Sequence, residues 1–249
     1  QPADDGSFSV FGIDGEKLAP KLFEAASGGG ITFPMPEEGF YNAYFVGRSV
    51  ENDVLKTSIV KAEVLKHSCG EGHDPKFTAS RMPPWNDSGV ALDIIRERLP
   101  GEDFQTRIRS GDEVAFRIHY EGNPAPGANV SLTTEAGWTK HVKTDADGRA
   151  VFELIRDYYP AWNDFDKRHY ETFLVTAEYR TEIPGELHGT PFREAHYRAT
   201  LPGTFYPSEI EYSSYLVGLV VALIAAALAA GGVFLYRLKQ SRAIRERLQ

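Results

Sequence analysis

Cysteine is almost absent from this sequence. Cys69 is the single cysteine in 249 residues, so the chain cannot contain an intrachain disulfide framework. Chains in oxidising compartments either pair their cysteines or do nearly without them, and this composition fits such a compartment. A lone thiol there is a reactive group, an intermolecular partner or a metal ligand, and all three remain open at this point.

An excess of positive charge is missing before the C-terminal tail. The whole chain carries −8, and residues 237–249 carry five basic side chains against Glu246, a net +4. The first 236 residues therefore carry −12. Nucleic-acid binding needs a basic face, so an acidic body of this kind predicts no nucleic-acid partner.

Familiar catalytic motifs are missing as well. The sequence has no G-x-S-x-G, no H-E-x-x-H and no phosphate-binding loop. Acidic residues are plentiful, but no pair stands out by its spacing. We therefore predict that the protein is not an enzyme.

The chain also starts without an apolar leader. The opening residues, QPADDGSF, are polar and have no hydrophobic region of the kind that a signal peptide requires. The features that follow place a large domain outside the cell membrane. We therefore expect Gln1 to be the mature end, left after a signal peptide is removed.

One long uncharged stretch stands out against this background. Tyr215 to Tyr236 contains 22 residues without a charge, and as a helix it would be about 33 Å long, enough to cross a bilayer. Tyrosine at both ends suits the two membrane interfaces. We predict one transmembrane helix over residues 212–236, in contact with the lipid bilayer.

The basic tail predicts the orientation of that helix. Residues 237–249 follow the span at once, and the positive-inside rule puts such a tail in the cytoplasm. The residues before Ser214 would then lie in the periplasm. The predicted location is a bacterial inner membrane, crossed once, with the N-terminal domain periplasmic and the C-terminus cytoplasmic.

The N-terminal domain is predicted to be mainly β. Tyr41–Val50 and Val54–Lys66 alternate and are rich in β-branched and aromatic residues, which predicts a hairpin. Upstream, residues 16–30 (EKLAPKLFEAASGGG) suggest one short helix that ends in glycines. A proline-containing stretch without periodicity, residues 74–89, predicts a loop between an N-terminal β-rich subdomain, residues 1–87, and a second part, residues 88–211.

The second part shows short strands at regular spacing with turn residues between them. This pattern predicts an antiparallel sandwich. The aromatic and charged residues 156–171 interrupt it and suggest a long loop with part of a binding surface.

A resemblance is carried by three segments of the second part. They are GD at residues 111–112, EGNPAPGANV at residues 121–130 and TDADGRAVF at residues 144–152. Together they resemble the DUF4198 family, which is similar to the periplasmic domain of NikM-type nickel and cobalt uptake components. The resemblance covers roughly residues 90–200. It implies an Ig-like or prealbumin-like sandwich and a family relationship to metal-uptake proteins.

The segment HSCGEGHD, residues 67–74, gives the best candidate metal ligands. His67, Cys69 and His73 offer a thiolate and two imidazoles, which suit a transition metal ion such as zinc or copper. Gly70 and Gly72 would let the backbone bend enough for the ligands to converge, and the nearby residues Asp74 and Met82 could complete the shell. The spacing is not a standard zinc pattern, so an exposed polar bend is the competing interpretation.

Other candidates are weaker. Asp145 and Asp147 match part of a calcium loop, but a tight hairpin turn also explains them. His119 and His141 lie on neighbouring predicted strands and could meet across a sheet.

Three functions remain open from the sequence. The first is a non-catalytic accessory subunit of a transport or redox complex, joined to integral membrane subunits through the transmembrane helix. Ala229, Gly231 and Gly232 would pack against that neighbour, because small residues let helices approach closely in lipid. The second is a periplasmic module that hands nickel, cobalt or copper to a membrane partner. The third is a sandwich that binds glycan or peptide through Trp85, Trp138 and Trp162.

Overall fold

The structure is a computed structural model that describes residues 5–25, 28–66, 90–99, 101–102, 106–157 and 170–246. The chain separates into two compact units, Gln1–Tyr206 and Pro207–Gln249. The first is built from strands and the second from a single helix.

The strands of the first unit follow one another with short connections in many places. The first eight are β1 Asp5–Phe11, β2 Lys17–Leu18, β3 Lys21–Ala25, β4 Gly28–Thr32, β5 Gly39–Glu51, β6 Val54–Lys66, β7 Leu92–Arg96 and β8 Glu113–Tyr120. The next eight are β9 Asn123–Pro124, β10 Asn129–Thr134, β11 Thr139–Lys143, β12 Arg149–Glu153, β13 Glu171–Thr181, β14 Gly185–Leu187, β15 Thr190–Phe192 and β16 Glu194–Phe205.

The predicted hairpin is confirmed. β5 and β6 pair antiparallel along their whole length, from Gly39 opposite Lys66 to Glu51 opposite Val54. Asn52 and Asp53 form the two-residue turn, with φ of 54° and 61°. Asparagine and aspartate enter this left-handed region more easily than other non-glycine residues, so the turn fixes the register.

The predicted helix over residues 16–30 is wrong. This segment forms β2, β3 and β4 instead. β2 extends the edge of a sheet through the pairs Val10–Leu18 and Phe11–Lys17, while β3 and β4 form a separate antiparallel pair. Pro20 lies between β2 and β3, where it would disrupt a helix interior. Pairing with an existing strand therefore outweighs the local helix propensity of the alanine, leucine and lysine residues.

Two sheets form the body of this unit. The larger has eight strands in the order β11-β10-β13-β16-β6-β5-β1-β2, and the smaller has the order β12-β8-β7, with β9 paired to β8. Neighbouring strands are antiparallel except β6 and β16, which are parallel. Through this pair, strands from both sides of the predicted subdomain boundary at residues 87–88 share one sheet. The boundary itself lies outside the described residues.

One apolar core joins the two sheets. It includes Tyr44 and Ile59 from the larger sheet and Phe116, Ile118 and Phe152 from the smaller sheet, each at most 1% exposed. The Phe116 ring meets the Phe152 ring edge-on, with centroids 6.1 Å apart. The mainly β prediction is therefore confirmed, and two sheets that share a core are the arrangement of a β-sandwich.

The turn at residues 144–149 was expected to close a hairpin, and this is wrong. β11 belongs to the larger sheet and β12 to the smaller, so the turn carries the chain from one sheet to the other. The side chain of Asp145 holds it: Oδ1 accepts hydrogen bonds from the backbone N–H groups of Asp147 and Arg149, at 3.0 and 2.8 Å. The aspartate therefore has a structural role that needs no ion.

The second unit contains the helix α1, Glu209–Glu246. Its section Leu216–Gln240 is long and apolar enough, by length and composition, to cross a membrane. The structure thus contains the predicted C-terminal helix, and the helix continues into the basic tail.

Two glycines with nearly the same backbone conformation give a test of the sheet-to-sheet turn. Gly148 has φ of 71°, and a Cβ there would lie 2.6 Å from the carbonyl oxygen of Ile118. Gly127 has φ of 74° and nothing within 4 Å of a Cβ. We expect Gly127→Ala to lower the free energy of unfolding by about 1–2 kcal/mol, the cost of a left-handed alanine.

Gly148→Ala should cost clearly more, because its methyl group also overlaps backbone atoms. Thermal and urea unfolding of the full chain in detergent micelles measures both variants. Equal losses would contradict the close approach of this turn to β8.

Candidate functional site

The inward face of β6 changes from apolar to charged along its length. Ile59, Lys61, Glu63 and Leu65 alternate with outward residues and so point to the same side of the strand. Ile59 belongs to the apolar core, and Lys61 follows it at 3% exposure. The interior of the sandwich is therefore polar beyond Ile59.

A buried ion pair links the two sheets at this point. Lys61 Nζ lies 3.0 Å from Asp93 Oδ1 and donates to the carbonyl oxygen of Ile94 at 2.8 Å. The side chains of Lys61 and Asp93 are only 4% and 3% exposed. Loss of either partner would leave the other charge buried and unpaired, which typically costs about 3–5 kcal/mol.

Tyr44 completes this cluster. Its hydroxyl group donates to the Asp93 carboxylate at 3.2 Å, and Lys61 Nζ lies 5.3 Å from the centre of its ring. Burial, together with the negative charge of Asp93, raises the pKa of Tyr44 well above its usual range. Tyr44 therefore remains a neutral hydrogen-bond donor at any physiological pH.

A second buried ion pair lies between Arg96 and Glu102. The guanidinium group of Arg96 contacts both carboxylate oxygens of Glu102, one of them at 2.9 Å. The backbone N–H of Leu99 also donates to Glu102, at 2.7 Å. These bonds tie the segment after β7 back onto the end of that strand.

A cleft of about 950 Å³ opens beside these charges. Core residues Phe116, Phe173 and Leu201 are among the residues that line it. Arg107 and Tyr206 also line it, and the guanidinium group of Arg107 lies 4.7 Å from the centre of the Tyr206 ring. Clefts of this size, with apolar walls and a few placed polar groups, are typical binding sites.

The polar lining of the cleft includes both signs of charge. Glu63, Arg96, Glu102, Arg107 and Arg109 all contribute to it. Together with the aromatic residues, this suits a ligand or partner side chain that is partly apolar and partly charged. These side chains can bind a ligand through aromatic contacts and charge-assisted hydrogen bonds.

The predicted metal ligands His67, Cys69 and His73 lie outside the described residues, as do Asp74 and Met82. In sequence they follow Lys66, the last residue of β6, and Leu65 lines the cleft. Within the described ranges, no group of three or more His, Cys, Asp or Glu residues is arranged to hold a metal ion. A metal site at residues 67–74 stays a prediction.

The structure separates the two strand histidines that could have met across a sheet. His119 lies on β8 of the smaller sheet and His141 on β11 of the larger sheet. His119 Nδ1 instead lies 3.3 Å from the carbonyl oxygen of Gly122. The two histidines do not share a sheet, because the chain changes sheets between these strands.

Of the three tryptophans, only Trp138 falls within the described residues. It packs against the core, and its backbone N–H donates to Thr134 and Asp157. Trp85 and Trp162 lie outside the described residues, so the glycan or peptide surface stays a prediction.

The Lys61–Asp93 pair was not predicted from the sequence, although the inward position of Lys61 could have been. Lys61 is an even number of residues from Leu55, Thr57 and Ile59 on the same strand, so its side chain lies on the same inward face. Its partner could not be identified from the sequence, because Asp93 is 32 residues away on the opposite sheet.

Comparison with models of known protein families gives no match, and comparison with curated protein sequences gives none either. The resemblance of residues 90–200 to the DUF4198 family stays a prediction.

The single thiol makes the predicted metal site testable without interference from other cysteines. Coordination by His67, Cys69 and His73 predicts that added Zn²⁺ slows the reaction of Cys69 with a thiol reagent, because the metal occupies the thiolate. His67→Ala and His73→Ala should each remove this protection. Cys69→Ser has no thiol and therefore gives the background signal of the reagent.

The protection should also weaken as pH falls, since protons compete with the metal for the imidazoles and the thiolate. Equal reaction rates with and without Zn²⁺ would contradict the metal site and favour the polar bend.

Proposed function

We propose that this protein is a non-catalytic accessory subunit of a bacterial inner-membrane complex, of the transport or redox kind. α1 anchors it and binds integral membrane subunits, while the β-sandwich acts in the periplasm. The observation that carries the proposal is the surface of α1. One membrane-crossing helix cannot enclose a transport path, so such a chain works beside other subunits.

Small residues form a stripe along one side of α1. Gly218, Ala222, Ala225, Ala229 and Gly232 are spaced by four, three, four and three residues. At about 100° per residue, they fall within about 80° of the helix circumference. This average spacing of about 3.5 residues is the repeat of helices that pack side by side with a left-handed crossing.

The opposite side of the helix carries bulky apolar residues beside some small ones. Leu216, Leu223 and Phe234 lie there and are 70%, 62% and 63% exposed, and Ala227 and Gly231 lie on the same side. A helix with only small residues along one stripe and bulky residues elsewhere suits a close helix partner at the stripe and lipid around the rest. In lipid, close packing rather than the hydrophobic effect drives such association.

The orientation follows from the charges at the two ends of the span. Arg237 and Lys239 come directly after the apolar residues, and Glu209 and Glu211 come before them. The positive-inside rule supports a cytoplasmic C-terminus and a periplasmic sandwich. A domain with net negative charge is compatible with the outer side, because the rule counts basic residues close to the span.

The cleft is the best candidate for recognition in the periplasm. Tyr206 lines the cleft and is the last residue of the first unit. Its N–H donates to Ile108 and its carbonyl oxygen accepts from Ser110, both at 2.8 Å. The end of the first unit is thus held to residues 108–110, and Ile108 and Arg109 line the cleft.

The stripe predicts opposite outcomes for two adjacent glycines. Gly232 lies on the stripe, and Gly231 lies about 100° away from it. We expect Gly232→Leu to weaken the complex, because a bulky side chain prevents close approach of the partner helix. Gly231→Leu should leave the complex intact and is the matched control, although the sequence alone grouped it with Gly232.

Blue-native electrophoresis of mildly solubilised native membranes measures the outcome. Wild type and Gly231→Leu should migrate in a larger complex, and Gly232→Leu should appear partly as the free subunit. All three proteins should remain in the membrane fraction. Migration of the wild type as a free monomer would contradict the proposed function.

A further inference from the structure

Two carboxyl groups meet at the start of β13. Asp157 follows β12, and Glu171 is the first residue of β13. Glu171 is only 5% exposed. A buried carboxylate normally has a cationic partner or several donors, so this position needs an explanation.

Backbone and hydroxyl donors satisfy one oxygen of each group. Glu171 Oε1 accepts from the N–H of Ala136 at 2.9 Å. Asp157 Oδ2 accepts from the Thr134 hydroxyl at 2.5 Å and from the N–H of Trp138 at 3.1 Å. These donors all come from the turn between β10 and β11, so the turn fixes the positions of both carboxyl groups.

The other two oxygens have no such donors. Glu171 Oε2 and Asp157 Oδ1 are both buried and accept no hydrogen bond from a donor group. The two side chains instead lie within hydrogen-bonding reach of each other. Two carboxylates cannot hydrogen-bond unless one of them is protonated, because an ionised carboxyl group is only an acceptor.

We propose that Glu171 and Asp157 share one proton and so form a pH-sensitive clasp that joins the β10–β11 turn, the end of β12 and the start of β13. Among the residues that the structure describes, the charged group besides Asp157 that acts on Glu171 is Glu135 in the turn, which adds negative charge and favours the proton. On the neighbouring strand β16, the residue opposite Glu171 is the uncharged Phe205.

The electrostatics support the shared proton. Burial, followed by the charges of Asp157 and Glu135, raises the pKa of Glu171 to about 7, against the donation from Ala136. In the unfolded chain the pKa is near 4.5. The folded protein therefore binds more protons between these values, and its stability falls as pH rises from about 4.5 to about 7.

A proton explains the arrangement better than a metal ion. Calcium takes about six to eight oxygen ligands, whereas only one oxygen of each carboxyl group is left without a hydrogen-bond donor here. The remaining oxygens of the pair point at N–H and O–H donors, which a cation would repel. The pair thus has room and partners for one proton.

The test compares thermal unfolding of the full chain in detergent micelles between about pH 5 and pH 8, for wild type, Glu171→Gln and Glu153→Gln. Glutamine at position 171 keeps a donor toward Asp157 and cannot ionise. Glu153 is exposed on β12, so Glu153→Gln controls for the loss of one negative charge. The melting temperature of wild type and of Glu153→Gln should fall as pH rises from about 5 toward the raised pKa of about 7 and level off above it, and that of Glu171→Gln should be clearly flatter.

Infrared difference spectra give a second measurement, independent of stability. Wild type should show a protonated carboxyl band that disappears as pH rises through neutrality, and Glu171→Gln should lack it. The same pH slope in wild type and Glu171→Gln, or no such band, would overturn the proposal. So would stabilisation of wild type, but not of Glu171→Gln, by Ca²⁺ at about pH 8, because the pair would then be a cation site.

Discussion

The apolar surface of α1 is the constraint on which the rest of the account depends. Every residue of the apolar section Leu216–Gln240 is exposed in the structure. Each square ångström of such surface costs about 25 cal/mol in water, so a helix of this length must be covered by lipid or by other proteins. The hydrocarbon core of a bilayer matches its length. The small-residue stripe then leaves one side of the helix suited to a partner.

The β-sandwich must stay folded in water although it holds charged side chains between its two sheets. The Lys61–Asp93 pair and its Tyr44 donor use the interior for polar contacts that an apolar core would not need. Such pairs add little net stability compared with well-packed apolar side chains, but they fix which groups face each other. Here they place Asp93 of the smaller sheet against Lys61 of β6, and Glu63, two residues further along β6, lines the cleft. The polar interior and the cleft therefore follow one another along the same strand.

Local patterns were enough to predict some elements and failed for others. The β5–β6 hairpin and α1 were predictable, because strand alternation, the Asn52–Asp53 turn and an uncharged stretch are local signals. The helix predicted over residues 16–30 was wrong, because β2 forms by pairing with the edge of β1. The local sequence pattern contains no information about that partner strand. The hairpin expected at the Asp145 turn failed for the same reason. Its sequence is that of a tight turn, but only the partners of β11 and β12 decide whether it stays within one sheet.

The candidate site was largely beyond the reach of sequence reasoning. Its residues come from distant parts of the chain, such as Phe40, Arg96 and Tyr206, and no motif connects them. The Asp157–Glu171 pair is similar, because the two carboxyl groups meet only when the β10–β11 turn positions them. The sequence could identify Cys69 and its neighbouring histidines by composition alone, and that cluster still needs a chemical test.

Protease accessibility in spheroplasts tests the central claim most directly, namely that one helix anchors an external β domain to the inner membrane. The chain would have short epitopes at both ends, and protease would be added before and after the membrane is opened. The account predicts that the N-terminal epitope and residues up to about 211 are digested from outside, while the C-terminal epitope survives on a small fragment until the membrane is opened. Protection of the N-terminal domain together with digestion of the tail, or release of the intact chain from the membrane by salt, would contradict it.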